Sequence, residues 1–100
     1  MLEPIAITSF QDEGTRDLYN GLNTKAARGI SRELWPRIVK KLDALNAAAG
    51  LNDLKSPGNQ LEKLTGNFEG FWSVRVNQQY RICFRFESGN ASDVFCEDIH

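Results

Sequence analysis

The stretch GFWSVRVNQQYRICFRFESGNASDVFCEDIH, residues 70–100, decides the fold. Within it, three segments alternate apolar and polar residues, and alternation with a period of two indicates half-buried β-strands. The segments are Phe71–Val76, Gln79–Phe86 and Asp93–Ile99, and turn residues separate them. The sequence therefore predicts an antiparallel β-meander in the last third of the chain.

One face of the predicted meander is polar and basic. It carries Ser73, Arg75, Arg81 and Arg85, whereas the other face is apolar. A three-residue turn over residues 77–79 aligns the apolar side chains of the first two strands and makes Arg75 and Arg81 neighbours. Like charges side by side destabilise a sheet unless an anion or a carboxylate lies between them. The face therefore indicates a phosphate-binding surface, although nearby acids would serve as well.

The second turn, at residues 88–90, permits two strand registers. A two-residue Gly-Asn turn sets Arg81 opposite Asp98 and pushes two carboxylates into the apolar face. A three-residue turn sets Arg81 opposite Glu97 and keeps those carboxylates out of the core. Because burying unpaired carboxylates is costly, we favour the three-residue turn. That register exposes Phe95, which then needs a cover.

Upstream of the meander, the sequence predicts a first strand, two helices and a short strand. Ile5–Phe10 is rich in β-formers, and Asp12–Leu22 has apolar residues at helical spacing. Leu61–Leu64 is a candidate short strand before the meander. The start of the second helix is ambiguous.

The strongest helical pattern is the apolar stripe over Ser31–Ala49, with Ser31 as a suitable N-cap. Pro36 disfavours a helical conformation at Trp35 and removes a backbone donor. The helix therefore begins either at Ser31 with a bend or near Trp35. Because the apolar stripe continues through the proline, we favour the earlier start.

Composition suggests an ordinary globular chain that forms one domain over residues 1–100. It has 41% hydrophobic and 25% charged residues and a net charge of -1. Since no apolar run approaches the ~20 residues of a membrane span and the N-terminus lacks a signal-peptide pattern, we expect the cytoplasm and no membrane partner. Cys83 and Cys96 lack metal-ligand spacing, so we expect buried, reduced thiols and no metal.

Charge is arranged in blocks that the net charge conceals. Residues 25–41 carry six bases and one acid, and residues 70–86 carry three arginines and no acid. Either block on its own is most simply interpreted as a charged, solvent-exposed face of the protein. Two such blocks in a short chain predict a phosphate-binding surface.

RNA cleavage without a metal requires few residue types. A base takes the 2′-hydroxyl proton, cations stabilise the phosphorane charge, and an acid protonates the leaving oxygen. Glu62, Arg81, Asp98 and His100 are suited to these roles. A lone terminal histidine and a single surface glutamate are usually incidental, so the residue types alone do not establish an enzyme.

Motifs spaced along nearly the whole chain form a specific set. They are LKSPGNQLEKLTG at residues 54–66, GNFEGFWSVRVN at 66–77, YRICFRF at 80–86 and EDIH at 97–100. As a set, they resemble the HigB toxins of the RelE/ParE superfamily. The resemblance implies an α+β, RelE/ParE-like fold, with an N-terminal strand, two helices and then a C-terminal antiparallel β-meander.

The resemblance also implies a function. It implies a toxin of a type II toxin-antitoxin system that enters the ribosomal A site and cuts translated mRNA without a metal or other cofactor. A HigA-like helix-turn-helix antitoxin would be its partner, and their complex would bind operator DNA. In this scheme Glu62 or His100 exchanges protons, Arg81 steadies the phosphate and Asp98 orients its neighbours. The expected RNA-binding cations are Lys63, Arg75, Arg85, Arg37, Lys40 and Lys41.

Three features depart from the family pattern. Ile99 stands where the family has a tyrosine, so a hydroxyl group is missing. Thr65 replaces a lysine that some members carry, and the net charge is slightly acidic. These departures support an alternative, which is a non-catalytic protein on the same scaffold. It would be either a gyrase inhibitor of the ParE type or an operator-binding co-repressor.

Overall fold

The computed structural model describes residues 6–98, which form a five-stranded sheet and two α-helices. The strand order is β1-β5-β4-β3-β2; β1 is parallel to β5, and the other pairs are antiparallel. This is the predicted α+β architecture, with the meander at its centre. The elements are β1 (Ala6–Ile7), α1 (Glu13–Tyr19), α2 (Trp35–Ala47), β2 (Glu62–Lys63), β3 (Phe71–Arg75), β4 (Tyr80–Glu87) and β5 (Asn90–Asp98).

The main hydrophobic core lies between α2 and the sheet. Ile38, Leu42 and Leu45 follow the helical repeat along one face of α2, and all three are fully buried. Each buried aliphatic side chain contributes about 1.5–3 kcal/mol relative to an exposed one, so this layer fixes the helix across the meander. The strand residues in the same core are Val74, Ile82, Phe84 and Val94.

The second helix begins at Trp35, so the favoured start at Ser31 is wrong and the later start is confirmed. A 3₁₀ turn over Arg32–Leu34 precedes it, and the Ser31 side chain makes no capping hydrogen bond. Pro36 lies in the first turn of α2, where a backbone amide has no acceptor within the helix, so the proline removes no helical hydrogen bond. The Trp35 indole donates to the carbonyl oxygen of Ile30 at 2.9 Å. The proline therefore decides the helix start, and the apolar periodicity does not.

The first helix is shorter than the predicted Asp12–Leu22, because it ends at Tyr19. Asp12 caps its start, since the carboxylate accepts a hydrogen bond from the backbone amide of Thr15 at 3.0 Å. Gly14 allows close packing: a Cβ there would lie 2.7 Å from the carbonyl oxygen of Ala26. The early end leaves the apolar side chain of Leu22 outside the helix.

The register of the meander is confirmed at one end and wrong at the other. Arg81 lies opposite Arg75 on β3 and opposite Glu97 on β5, as predicted. Near the second turn, Glu87 lies opposite Asn90, so the turn has two residues and the predicted three-residue turn is wrong. A register shift between β4 and β5 accounts for the difference. Such a shift is a β-bulge, in which one strand contains an extra residue.

The face of the sheet opposite the helices has its own small apolar cluster. Phe95 is 3% exposed and is buried together with Phe71 and Cys83. Phe68 and Leu64 pack against this cluster from the segment before β3. The Phe71 and Phe95 rings meet edge to face, with their centroids 5.6 Å apart. Phe95 therefore has the cover that its register required.

Both cysteines are free thiols. Cys83 is buried and Cys96 is half-buried, and burial raises the pKa of each thiol to about 12. Among residues 6–98, we find no cluster of three or more histidine, cysteine or acidic side chains that could hold a metal ion. Over the same residues, the helices are too short or too polar to cross a membrane.

Candidate functional site

Arg81 is held rigidly at the end of the sheet nearest the first turn. Its side chain is only 13% exposed. Its Nε donates to the Ser73 hydroxyl at 2.6 Å, and its Nη2 donates to the backbone carbonyl oxygens of Ser73 and Gln60. A guanidinium group has five N–H donors, and these bonds use those of Nε and Nη2. The donors of Nη1 therefore remain for a phosphate oxygen, since they bond to nothing within residues 6–98.

The structure brings Glu62 next to Arg81. The pairing of β2 with β3 sets Glu62 opposite Ser73, whose hydroxyl also accepts from Arg81. The Glu62 Oε2 atom lies 3.6 Å from the Arg81 Nη2 atom, and the Glu62 side chain is 63% exposed. An exposed carboxylate can exchange a proton with a substrate hydroxyl, while a fixed cation beside it stabilises developing negative charge.

The loop before β2 is braced by Asn59, which is 8% exposed. Its backbone carbonyl oxygen accepts from the Arg75 amide at 2.6 Å, and its side-chain oxygen accepts from the Lys41 ammonium group. The next residue, Gln60, has a φ of 43°, and its carbonyl oxygen is the one that Arg81 reaches. The loop therefore connects α2 to the guanidinium group of Arg81.

Asp98 lies on the other side of the sheet from Arg81. It pairs with Tyr80, whereas Arg81 pairs with Glu97, and successive residues of a strand point to opposite faces. The Asp98 Oδ2 atom accepts from the Gln79 side-chain amide at 3.0 Å. The structure therefore brings Glu62 and Arg81 together and sets Asp98 on the opposite face.

The sequence pattern does not reveal the groups that hold Arg81. Gln60 acts through its backbone carbonyl oxygen, which any residue would supply. Ser73 has one sequence signal, because the alternation places its small hydroxyl on the same face as Arg81. His100 and Ile99 lie outside the described residues.

Three of the predicted RNA-binding cations line a basic cleft of about 690 Å³ between α2 and the loop that ends at Asn59. They are Arg37, Lys40 and Lys41, and Asp53 is the one acid among the lining residues. Burial, together with the charges of Arg37 and Lys40, lowers the pKa of Lys41. The cleft therefore has excess positive charge that a phosphate group would neutralise.

The other predicted cations are spread over both faces of the sheet. Arg75 donates from Nε to the carbonyl oxygen of Asn77 at 3.1 Å. The Arg85 guanidinium lies 4.4 Å from the Phe71 ring centroid, and its Nε is 3.4 Å from a carboxylate oxygen of Asp93. Lys63 lies over the Trp72 ring, with its Nζ 5.8 Å from the centroid. Arg75 is the nearest of these to Arg81, since the two residues are paired.

The fold is shared with a class of bacterial toxins of known structure. The YoeB-YefM complex from Staphylococcus aureus matches with a TM-score of 0.58 and 16% identity, covering 98% of this chain and 100% of that chain. At this identity the likeness shows the fold alone. The predicted RelE/ParE-like architecture is therefore confirmed.

Sequence similarity then identifies the family within that class. Toxin HigB-1 from Vibrio cholerae is 35% identical over 89 residues, which are 88% of this chain and 92% of that toxin. Endoribonuclease HigB from Proteus vulgaris is 32% identical over 94 residues, which are 94% of this chain and 99% of that protein. The family described as "RelE-like toxin of type II toxin-antitoxin system HigB" matches residues 8–100. The chain belongs to this HigB-like toxin family, as its motifs predicted.

Proposed function

We propose that this toxin is an endoribonuclease that cuts mRNA while it is being translated on the ribosome. Family membership and the similarity to a protein named Endoribonuclease HigB support the ribonuclease activity. The observation that carries the proposal is the pairing of a rigidly held Arg81 with an exposed Glu62. This pair offers a proton acceptor and a charge stabiliser within one site.

The proposed reaction breaks one phosphodiester bond and needs no added reactant. The 2′-hydroxyl oxygen attacks the adjacent phosphorus, and Glu62 accepts the hydroxyl proton. Arg81 binds a non-bridging oxygen through Nη1 as negative charge develops on the phosphorane. The bond from phosphorus to the 5′ oxygen then breaks, and an acid protonates that oxygen. The products are a 2′,3′-cyclic phosphate and a 5′-hydroxyl.

The remaining predicted residues support this reaction in our scheme. His100 is the proposed acid for the leaving oxygen, and Asp98 orients the end of the chain without contacting the phosphate. The basic cleft attracts RNA by its excess positive charge, in the way that lysine and arginine attract phosphate backbones generally. Arg75, Arg85 and Lys63 are proposed to contact the RNA backbone around the cut.

The toxin-antitoxin family indicates a protein antitoxin as partner. We propose that this antitoxin is a HigA-like helix-turn-helix protein, that its complex with the toxin binds operator DNA, and that both proteins act in the cytoplasm. Expression of the toxin should then arrest growth, and co-expression of such an antitoxin should relieve the arrest.

The test of the enzymatic function is a purified bacterial translation reaction with added toxin, in which the 5′ ends of the mRNA are mapped. We expect new ends within translated codons when ribosomes are present, and intact mRNA when they are left out. An Arg81→Ala variant should leave the mRNA intact, while Arg16→Ala, a change on the exposed side of α1, should cut normally. Uncut mRNA on active ribosomes contradicts the proposal, and altered DNA supercoiling in its place would identify a gyrase inhibitor.

A further inference from the structure

An apolar hollow lies between the end of α1 and the start of α2. Its volume is about 310 Å³, and Leu18, Leu22, Trp35 and Val39 supply most of its apolar lining. Leu22 is 51% exposed, which makes it the one strongly exposed large hydrophobic side chain within residues 6–98. A contiguous apolar surface rimmed by polar residues marks an interaction site, whereas a single exposed apolar side chain does not. Here Leu22 is continuous with the other apolar residues that line the hollow.

Two arginines flank this hollow. Arg28 donates from Nη1 to the backbone and side-chain oxygens of Asn23, at 3.2 Å and 3.1 Å. The Arg32 guanidinium carbon lies 5.2 Å from the ring centroid of Trp35. Asn23 and Trp35 both line the hollow, so both guanidinium groups border it. Neither arginine forms an ion pair with an acid in the described part of the chain.

We propose that this surface, formed by Leu22, Trp35, Arg28 and Arg32, is the docking site of the antitoxin. It would bind an acidic segment that places one large apolar side chain in the hollow and carboxylates on the two arginines. The inference rests on the proposed function in one respect, namely that the partner is an antitoxin.

Charge complementarity favours an acidic partner over a second copy of this chain. Residues 25–41 carry six bases and one acid, so a symmetric contact through this surface would bring cations against cations. An acidic segment would instead neutralise arginines that lack an acidic partner within residues 6–98. Tryptophan and arginine are enriched among the few residues that dominate the binding energy of an interface, and this surface offers Trp35 with two arginines.

The position of the hollow indicates how docking would neutralise the toxin. Pro36 lines both the hollow and the basic cleft, so the two adjoin on the first turn of α2. A bound acidic segment would therefore border Arg37 and Lys40 and would weaken the attraction of the basic cleft for RNA.

The test measures the affinity of the full-length toxin for its purified antitoxin by titration calorimetry. Leu22→Asp places a carboxylate in the apolar hollow, and we expect the affinity to fall about 100-fold. Arg28→Glu combined with Arg32→Glu should lower it about 10-fold or more, because both changes repel an acidic segment. Lys55→Glu reverses an exposed charge away from the hollow and should leave the affinity unchanged.

The possible results separate this docking site from its alternatives. Unchanged affinity in both the Leu22 and the arginine variants excludes this surface. A change in the oligomeric state of the toxin alone, with normal antitoxin affinity, assigns the surface to a second copy. If Leu22→Asp fails to fold, as judged by thermal unfolding, the exposed arginine variant decides the question. A wild-type toxin that binds the antitoxin but cuts no mRNA refutes the proposed activity and leaves this docking site intact.

Discussion

Arg81 and the basic cleft are two positively charged regions that the structure holds in different ways. Arg81 is 13% exposed and bonded to Ser73 and Gln60. The basic cleft is open and crowded with cations, and this crowding contributes to the lowered pKa of Lys41. A fixed cation can stabilise charge at one atom, whereas an open cluster attracts RNA from a distance. The two regions should therefore fail in different ways when they are altered.

The largest expected effect is the loss of Arg81. Arg81→Ala removes the donors that would stabilise the phosphorane, so cleavage of ribosome-bound mRNA should slow by about 10²–10³-fold. Arg81→Lys should recover little, because an ammonium group cannot reproduce the fork that bonds to Ser73 and Gln60. The rate is measured by single-round cleavage of mRNA on stalled ribosomes. Arg16→Ala is the control, and an Arg81→Ala rate close to that of the wild type would contradict the assignment.

The next effect concerns Asn59, which connects the two regions. Asn59→Ala leaves the Leu54 carbonyl oxygen and the Lys41 ammonium without their partner. The free energy of unfolding should fall by about 1–3 kcal/mol, as for other buried hydrogen-bonding groups. Urea denaturation measures this loss, with the exposed Asn67→Ala as a control. Equal stability in the two variants would show that the loop is not braced through Asn59.

A smaller effect is expected in the basic cleft. Lys40→Gln removes an exposed cation, so the slope of log affinity for ribosomes against log salt should fall by about one. The affinity at low salt should fall with it, while the fold is unaffected. Binding of fluorescent toxin to ribosomes over a salt series measures the slope. Lys55→Gln, on an exposed position outside the cleft lining, should keep the wild-type slope; the same slope in the Lys40 variant would exclude a phosphate contact there.

The smallest effect is a pH dependence at Lys41. Its pKa is lowered from 10.5 by burial and by the charges of Arg37 and Lys40. The charged form attracts phosphate, so the affinity for RNA should fall as rising pH approaches this lowered pKa. Lys41→Arg keeps its charge over the same pH range and should abolish the fall. A parallel fall in both proteins would assign the pH dependence to another group.

The faces and neighbours of the sheet arginines could be predicted from the sequence. The alternation determines the face on which each side chain lies. Because a shift of the strand register by one residue would bury charged side chains, the pairing of Arg81 with Arg75 and with Glu97 could be predicted. The β-bulge between β4 and β5 could not be predicted. One extra residue in β5 shifts the register, but the residues on each side of the bulge still alternate between the two faces. The prediction of the helix start was wrong for a similar reason. The apolar stripe begins before Pro36, although the backbone at Arg32–Leu34 forms a 3₁₀ turn and α2 begins only at Trp35.

The geometry of the candidate site could be predicted less well than the strand pairing. The proximity of Glu62 to Arg81 depends on β2, a two-residue strand whose pairing partner no local pattern specifies. The anchoring of Arg81 depends on the carbonyl oxygen of Gln60, which leaves no trace in the side-chain sequence. Asp98 matches the family motif, yet the register sets it on the opposite face from Arg81.

The difference between Arg81 and the basic cleft is tested most directly by the cleavage rate at increasing toxin concentration. Wild-type, Arg81→Ala and Lys40→Gln toxins are compared on the same ribosome-mRNA complexes. We predict that Lys40→Gln reaches the wild-type maximal rate at a higher concentration, whereas Arg81→Ala stays about 100-fold slower even at saturation. Recovery of Arg81→Ala at high concentration, or a lowered maximal rate for Lys40→Gln, would contradict the division between chemistry and attraction.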